Sequence, residues 1–404
     1  MRIAHVITRM ILGGAQENTL LSCEDLLRQY GDAVLLITGP AIGPEGSLLE
    51  RARAGGIPIE IIPALRRAIH PWRDTASYWQ LKAALRRFQP EVVHTHSAKG
   101  GMLGRAAAWS LGVPAVVHTV HGAPFHLYQG RGARQFFQAC ERWAAKRCHA
   151  MVSVADAMTE LMVEAHIAPR EKFTTVYSGM EVEPFLQSDR HRDRVRQQLG
   201  YRPEHVVVGK IARLFKLKGH DDVIRAAKKV VQEMPNVRFL FVGDGVLRDS
   251  LQQQVADAGL ASFFQFAGLV PPSQIPEMLA AMDLVVHASL REGLARVLPQ
   301  ALISGKPVVS YDVDGAREVV LPGKTGCLIQ PRKVDELAAA ICCLAGDTAM
   351  RIGYGAEGRR RCADVFRHEN MTARLREIYG QLLLPQGSRT DTLGAVLGGA
   401  GEHR

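Results

Sequence analysis

The sequence predicts an α/β protein made of two successive doubly wound domains, and three observations carry that prediction. Short apolar runs rich in Val and Ile recur along the chain, each the length of a buried parallel strand and each followed by a stretch with helical spacing. The series stops near residues 178–190 and begins again at Val206. The chain has 404 residues, 47% hydrophobic and 22% charged, which is too apolar for disorder and long enough for two ordinary cores.

In order, the first series places strands at 3–7, 33–37, 57–62, 91–94, 115–120 and 173–177. A charged, helix-like stretch at 188–199 precedes the second series, at 206–211, 237–242, 263–266, 284–287 and 307–310. The expected domains are therefore 1–180 and 181–365, with the crevice outside the carboxyl ends of their strands as the binding site. Phe366, Met371, Leu375, Ile378, Tyr379 and Leu382 recur at helical intervals and predict a closing helix at 366–384. The small and polar residues of 385–404 read as a mobile tail.

Fifty Lys and Arg against forty Asp and Glu give a net charge of +10, which favours an anionic partner. Residues 61–147 account for all of it, with thirteen cations against Asp74, Glu91 and Glu141. Helical wheels put Tyr78, Leu81, Ala84, Leu85 and Phe88 on a core arc opposite Lys82, Arg86 and Arg87, with Trp79 among the cations. On 131–147 they put Phe136, Phe137, Cys140 and Trp143 on the core arc, opposite Arg131, Arg134, Arg142 and Lys146. Helices 78–88 and 131–147 could thus hold the protein against an anionic membrane, or simply show a solvated basic face. No recognised nucleic-acid motif accompanies the charge, so nucleic acid is not expected.

Seven cysteines with no C-x-x-C pair fit neither a disulfide framework nor a zinc ribbon, and suggest a reduced, cytoplasmic setting. His5 and Arg9 interrupt the first apolar run and no small-residue cleavage site follows, so a signal peptide is not expected. No uninterrupted apolar run reaches membrane-spanning length.

In VVVGKIARLFKLKGHDDVIRAA a strand leads into a loop holding Arg213 and Lys218 and then a helix from about Asp221, a plausible diphosphate clamp. An ordinary basic loop fits that segment alone equally well. In HASLREGLARVLPQALISGKP, Glu292 ends a loop, Gly293 lets the backbone turn into a helix, and the amides of Gly293, Leu294 and Ala295 could cradle phosphate. Gln300 lies eight residues on, just over two helical turns. In RMILGGAQENTLL, Gly13 and Gly14 allow a close backbone approach, but G-x-G-x-x-G is absent. His94, His96, His118, His121 and His126 gather in one segment without the Asp, Glu or Cys that would complete a metal set, so no metal is expected.

Together, R-x4-K, Glu292-Gly293 with a polar residue at the eighth position, SGKPVVS and DGAREVV resemble the C-terminal domain of retaining glycosyltransferase family 4. The resemblance runs to about residue 383. It implies a GT-B fold, two Rossmann-like domains facing a central cleft with the C-terminal helix crossing back to the N-terminal domain. It assigns Arg213 and Lys218 to the donor diphosphate, Glu292 and His121 to the donor sugar, Gly293–Ala295 amides to phosphate, and Gly13 and Gly14 to the first glycine loop. His118 and His126 are left structural or acceptor-side. At position 300 the family usually has Glu; an amide still accepts a ribose hydrogen bond but without charge.

The expected function is metal-independent, retaining sugar transfer, with no cofactor, from a nucleotide diphosphate sugar, most simply a UDP-sugar, to a glycan or lipid-linked acceptor in cell-surface polysaccharide synthesis. The cytoplasm, at the inner face of the membrane, is the expected place. A sugar-nucleotide epimerase on the same scaffold and a non-catalytic binding protein are the alternatives.

Overall fold

The computed structural model describes residues 1–42 and 46–385. They divide into two compact units. The first comprises Met1–Val154, Met158–Gly179 and the described residues from His368; the second comprises Ala155–Ala157 and Met180–Arg367. The tail expected at 385–404 lies, from 386 on, outside the described residues.

The first unit holds β1 (Arg2–Arg9), β2 (Ala33–Gly39), β3 (Ile59–Ile61), β4 (Val92–His96), β5 (Ala115–Val120), β6 (Ala150–Ser153) and β7 (Phe173–Thr175) in one sheet, ordered β3-β2-β1-β4-β5-β6-β7. All its pairings are parallel. Such a sheet needs a crossover between strands and cover on both faces, which is why β1, β4 and β5 are buried in continuous runs rather than at alternate residues. The strand order reverses between β1 and β4, so the loops leaving those two strands border the crevice where α/β sheets bind ligands.

The second unit repeats the plan with β8 (Val206–Ile211), β9 (Val237–Val242), β10 (Phe264–Gly268), β11 (Leu284–His287), β12 (Val308–Tyr311) and β13 (Gly326–Ile329), ordered β10-β9-β8-β11-β12-β13 and again all parallel. Its reversal lies between β8 and β11. Strands β6 and β13 extend the two sheets beyond the sequence expectation.

The closing helix runs His368–Leu383 and belongs to the first unit, packing on the helix Gly14–Arg28. Polar bonds fasten it: Thr372 Oγ1 donates to Asp25 Oδ2 at 2.7 Å and Arg376 Nε to Asp32 Oδ2 at 3.0 Å. Its Tyr379 is fully buried.

The helix Pro71–Phe88 buries Leu81, Ala84 and Leu85, as its wheel predicts. The helix Arg131–Ala145 does not follow its wheel. It buries Glu141, Ala144 and Ala145, and leaves Phe136 and Trp143 exposed. The cause is Arg105, wholly buried on the helix Ala98–Ser110, whose guanidinium is 3.0 Å from Glu141 Oε2. A buried cation demands its counter-ion, and the two alanines let the helices approach closely. No single helix among the described residues is long and apolar enough to cross a membrane.

Candidate active site

In the second unit the residues expected to hold the donor diphosphate and sugar leave the two strands at the reversal, β8 and β11. Their loops are fastened to each other. The Leu290 amide donates to Leu217 O at 2.8 Å. Gly219, at φ +66°, sits so close that a Cβ would lie 1.8 Å from Ala288 O, so both the conformation and the space require glycine. The helix His220–Glu233 starts at once behind it.

That fastening brings Lys218 and Glu292 together, Nζ to Oε1 at 2.5 Å, both side chains about one-fifth exposed. The Glu292 amide donates to Asp314 Oδ2 at 2.6 Å, and His287 Nε2 lies 3.6 Å from the same Glu292 oxygen. Burial pushes the Glu292 carboxyl up, but the Lys218 charge outweighs it and holds the group below the usual carboxylate range. A charge-assisted pair of this kind offers a cation for phosphate and a carboxylate for hydroxyls side by side.

Arg213 shares the β8 loop and is exposed, its guanidinium 5.1 Å from the Phe215 ring centroid. Gly293 and Leu294 form a bend with Ala295 just after it, and the helix that follows is Val297–Ile303, starting later than the expected turn at Gly293. Gly293 O accepts from the Gly315 amide at 3.2 Å, which ties the bend to the loop after β12. Gln300 is half-buried on that helix.

Sequence reasoning missed a polar cluster beneath the pair. Lys210, His220, His287 and Ser289 are all at most 3% exposed. Lys210 Nζ, both ring nitrogens of His220 and His287 Nε2 have no hydrogen-bond partner among the described residues. Burial, helped by the neighbouring Lys218 charge, lowers Lys210 to about 7, and burial lowers His287 to about 3. Buried polar atoms are normally paired, so a cluster of unpaired ones marks a place for water or ligand. The signal was present: a Lys inside VVVGKI and a His closing LVVH are polar intrusions into strands that are otherwise apolar.

In the first unit, Gly13 caps the helix Gly14–Arg28 in extended conformation, and a Cβ there would meet only the flexible Gln16 side chain, at 2.6 Å. The histidines form a ladder. His96 Nδ1 is 3.0 Å from His121 Nε2, and His96 Nε2 is 3.0 Å from His5 Nδ1. His94 is bonded through both nitrogens, to Tyr379 Oη at 2.5 Å and Thr119 Oγ1 at 2.7 Å. His118 is buried and bonds Thr95 Oγ1 at 2.9 Å, a structural place. His121, half-buried just after β5, is the ladder's outer end.

Burial lowers His5 to about 3 and holds His94, His96 and His118 well below the usual histidine value, so these rings are neutral. Neutral imidazoles can ligate a metal, and His5, His94 and His96 place ligand nitrogens within 4.8 Å of one another. Both nitrogens of His94 are already engaged, however, which leaves two rings and no carboxylate.

Comparison with known proteins matches residues 13–179 to the family model "Glycosyl transferase 4-like domain" and residues 191–361 to "Glycosyl transferases group 1". The chain is 28% identical over 355 residues to the UDP-Gal:alpha-D-GlcNAc-diphosphoundecaprenol alpha-1,3-galactosyltransferase of Escherichia coli, covering 87% of this chain and 90% of that enzyme. It is 27% identical to the 2-deoxystreptamine glucosyltransferase of Streptomyces kanamyceticus over 70% of this chain and 75% of that one. Among solved structures, Anabaena Alr3699/HepE in complex with UDP-glucose superposes with a TM-score of 0.78, at 23% identity, over 94% of this chain and 99% of that one.

Proposed function

The chain belongs to the GT-B glycosyltransferases of the family 4 type, a glycosyl transferase 4-like domain followed by a group 1 domain, and from that premise we propose that it transfers a sugar, with retention, from a UDP-sugar to a lipid-linked glycan in cell-surface polysaccharide synthesis. The observation that carries this reading is the Lys218–Glu292 pair at 2.5 Å, at the strand-order reversal of the second sheet. Supporting it, the Escherichia coli relative is named for a UDP-Gal donor and a diphosphoundecaprenol-linked acceptor, and the Anabaena neighbour is solved with UDP-glucose.

In this reading Lys218 and Arg213 take the charge that develops on the leaving diphosphate, and no divalent ion is needed. Glu292 turns from Lys218 toward the sugar hydroxyls once phosphate neutralises the lysine, and the Gly293–Ala295 amides face phosphate. Gln300 accepts a hydrogen bond from the ribose, Gly13 and Gly14 leave room for the donor, and His121 contacts the sugar. The acceptor oxygen bonds to the anomeric carbon on the face from which the diphosphate departs, and its proton passes to a diphosphate oxygen. A lipid-linked acceptor places the enzyme at the cytoplasmic face of a membrane, where the basic helices 78–88 and 131–147 suit anionic headgroups.

Calorimetric titration with UDP, GDP and ADP, each with and without EDTA, tests the donor half. Tight binding of UDP that EDTA does not change and Lys218→Ala weakens is the expected result. Binding of none of the three would sink it. The anomeric configuration of the product, read by NMR, tests retention.

A further inference from the structure

All four tryptophans of the chain, Trp72, Trp79, Trp109 and Trp143, are exposed, by 83, 60, 44 and 45%. A single exposed tryptophan needs no explanation, but four out of four do. They stand on three helices of the first unit that pack in sequence, Pro71–Phe88, Ala98–Ser110 and Arg131–Ala145. Between these helices runs a groove of about 610 Å³ walled by Tyr78, Met102, Trp109, Phe136, Trp143 and Arg147. Phe136 is itself 53% exposed. The aromatic exposure extends past the groove, because Trp72 and Trp79 are seven residues apart on one helix, about 10 Å along nearly the same face.

Cations surround this face. The Arg147 guanidinium lies 3.8 Å from the Trp143 ring centroid and Lys82 Nζ 5.6 Å from that of Trp79. Arg86, Arg131, Arg142 and Lys146 are exposed on the same helices or at their ends. The three acids of the segment are engaged elsewhere: Asp74 by Lys99 at 2.6 Å, Glu141 by Arg105 at 3.0 Å, and Glu91 by the Arg2 amide at 2.8 Å. A second copy docking through the same face would set two cationic surfaces against each other. An anionic surface that also accepts apolar groups fits both features, since Trp and Tyr favour the boundary between hydrocarbon and headgroup, and Arg and Lys reach phosphate from it.

We propose that this face docks on an anionic lipid bilayer, with the tryptophans in the headgroup layer and the groove taking an acyl chain. The proposal deepens the membrane-side reading above and rests on it for its purpose, but its test needs neither donor nor acceptor.

Because every tryptophan stands on these three helices, two of them, Trp109 and Trp143, in the groove itself, the intrinsic fluorescence of the full chain reports on this surface without a label. The probes are phosphatidylglycerol vesicles, phosphatidylcholine vesicles, and phosphatidylglycerol vesicles carrying acyl-brominated lipid. Phosphatidylglycerol should shift the emission to the blue, brominated chains should quench it, and phosphatidylcholine alone should bind about tenfold more weakly or worse. Phe136→Asp, at an exposed position that the fold tolerates, should lower vesicle affinity by about tenfold and leave UDP binding unchanged. Association without a blue shift or quenching would overturn the proposal, as would no association. So would a blue shift that tracks protein concentration without lipid, which would assign the face to a second copy, or one produced only by polyglutamate. Loss of UDP binding with docking intact would instead count against the transfer reading alone.

Discussion

Lys218 Nζ lies 2.5 Å from Glu292 Oε1, although the two residues leave different strands. The ammonium expected to hold the leaving diphosphate thus also sets the position of the carboxylate expected to hold the sugar. Removing it strips the developing charge of its partner and releases Glu292. Lys218→Ala should lower turnover at saturating donor by about 100-fold or more. Gln300→Ala removes one neutral hydrogen bond, worth about 1 kcal/mol, and should raise the donor KM about fivefold with little change in turnover. Equal losses of turnover in the two variants would contradict these roles.

The histidine ladder makes a prediction about protons. His5 Nε2 is buried with no partner among the described residues. A bare ring nitrogen left unpaired costs less than a buried N–H left unpaired, so His5 carries its proton on Nδ1 and donates to His96 Nε2. His96 then donates from Nδ1 to His121 Nε2, which puts the His121 proton on Nδ1. Long-range ¹H–¹⁵N correlation at neutral pH should show His121 Nε2 unprotonated, and His96→Phe should return His121 to a mixture of tautomers. A protonated Nε2 in the parent chain would reverse the ladder.

How far the sequence carries depends on how local each signal is. Strands β1, β5, β8 and β9 are long β-branched or aromatic runs and are legible. Strands β6, AMVS, and β13, GCLI, have four residues each, with Ala, Met, Gly and Cys among them, and only pairing with a neighbouring strand makes them strands. Lys218 and Glu292 were legible through their motifs. His5 was not, because its partner His96 is 91 positions away, and no spacing rule reaches that far. The helix Arg131–Ala145 shows the same limit differently. Hydropathy alone turned Trp143 inward, whereas a buried Arg105 on another helix turned Glu141 inward instead.

Neutral buried histidines set the pH dependence of stability. His5 and His287 fall to about 3 in the folded chain, whereas the unfolded chain titrates near the ordinary 6.5. Between those values the unfolded state binds the additional protons, so acid favours unfolding. Stability should be full above pH 6.5 and fall as pH drops toward 3, by about 1.4 kcal/mol per pH unit for each such histidine. His94, His96 and His118, lowered in the same direction, add to the slope. Urea midpoints at pH 7.5 and 5.5 check this; equal midpoints would mean that these rings are charged or solvated when folded.

The buried Arg105–Glu141 pair is the last case, and it concerns the helix that presents Phe136 and Trp143. Arg105 is wholly buried, its Nε donating to Gly101 O at 2.9 Å and its Nη2 to Glu141 Oε2 at 3.0 Å. Glu141→Ala leaves a guanidinium buried without a counter-ion and opens space beside it. The expected cost is about 3–5 kcal/mol, well above that of truncating an exposed ion pair. Arg170–Glu160, about half exposed on both sides, is the control, and Glu160→Ala should cost under about 1 kcal/mol. If urea denaturation shows similar losses for the two variants, Arg105 is reached by water, and the charge pair is not what turns the helix.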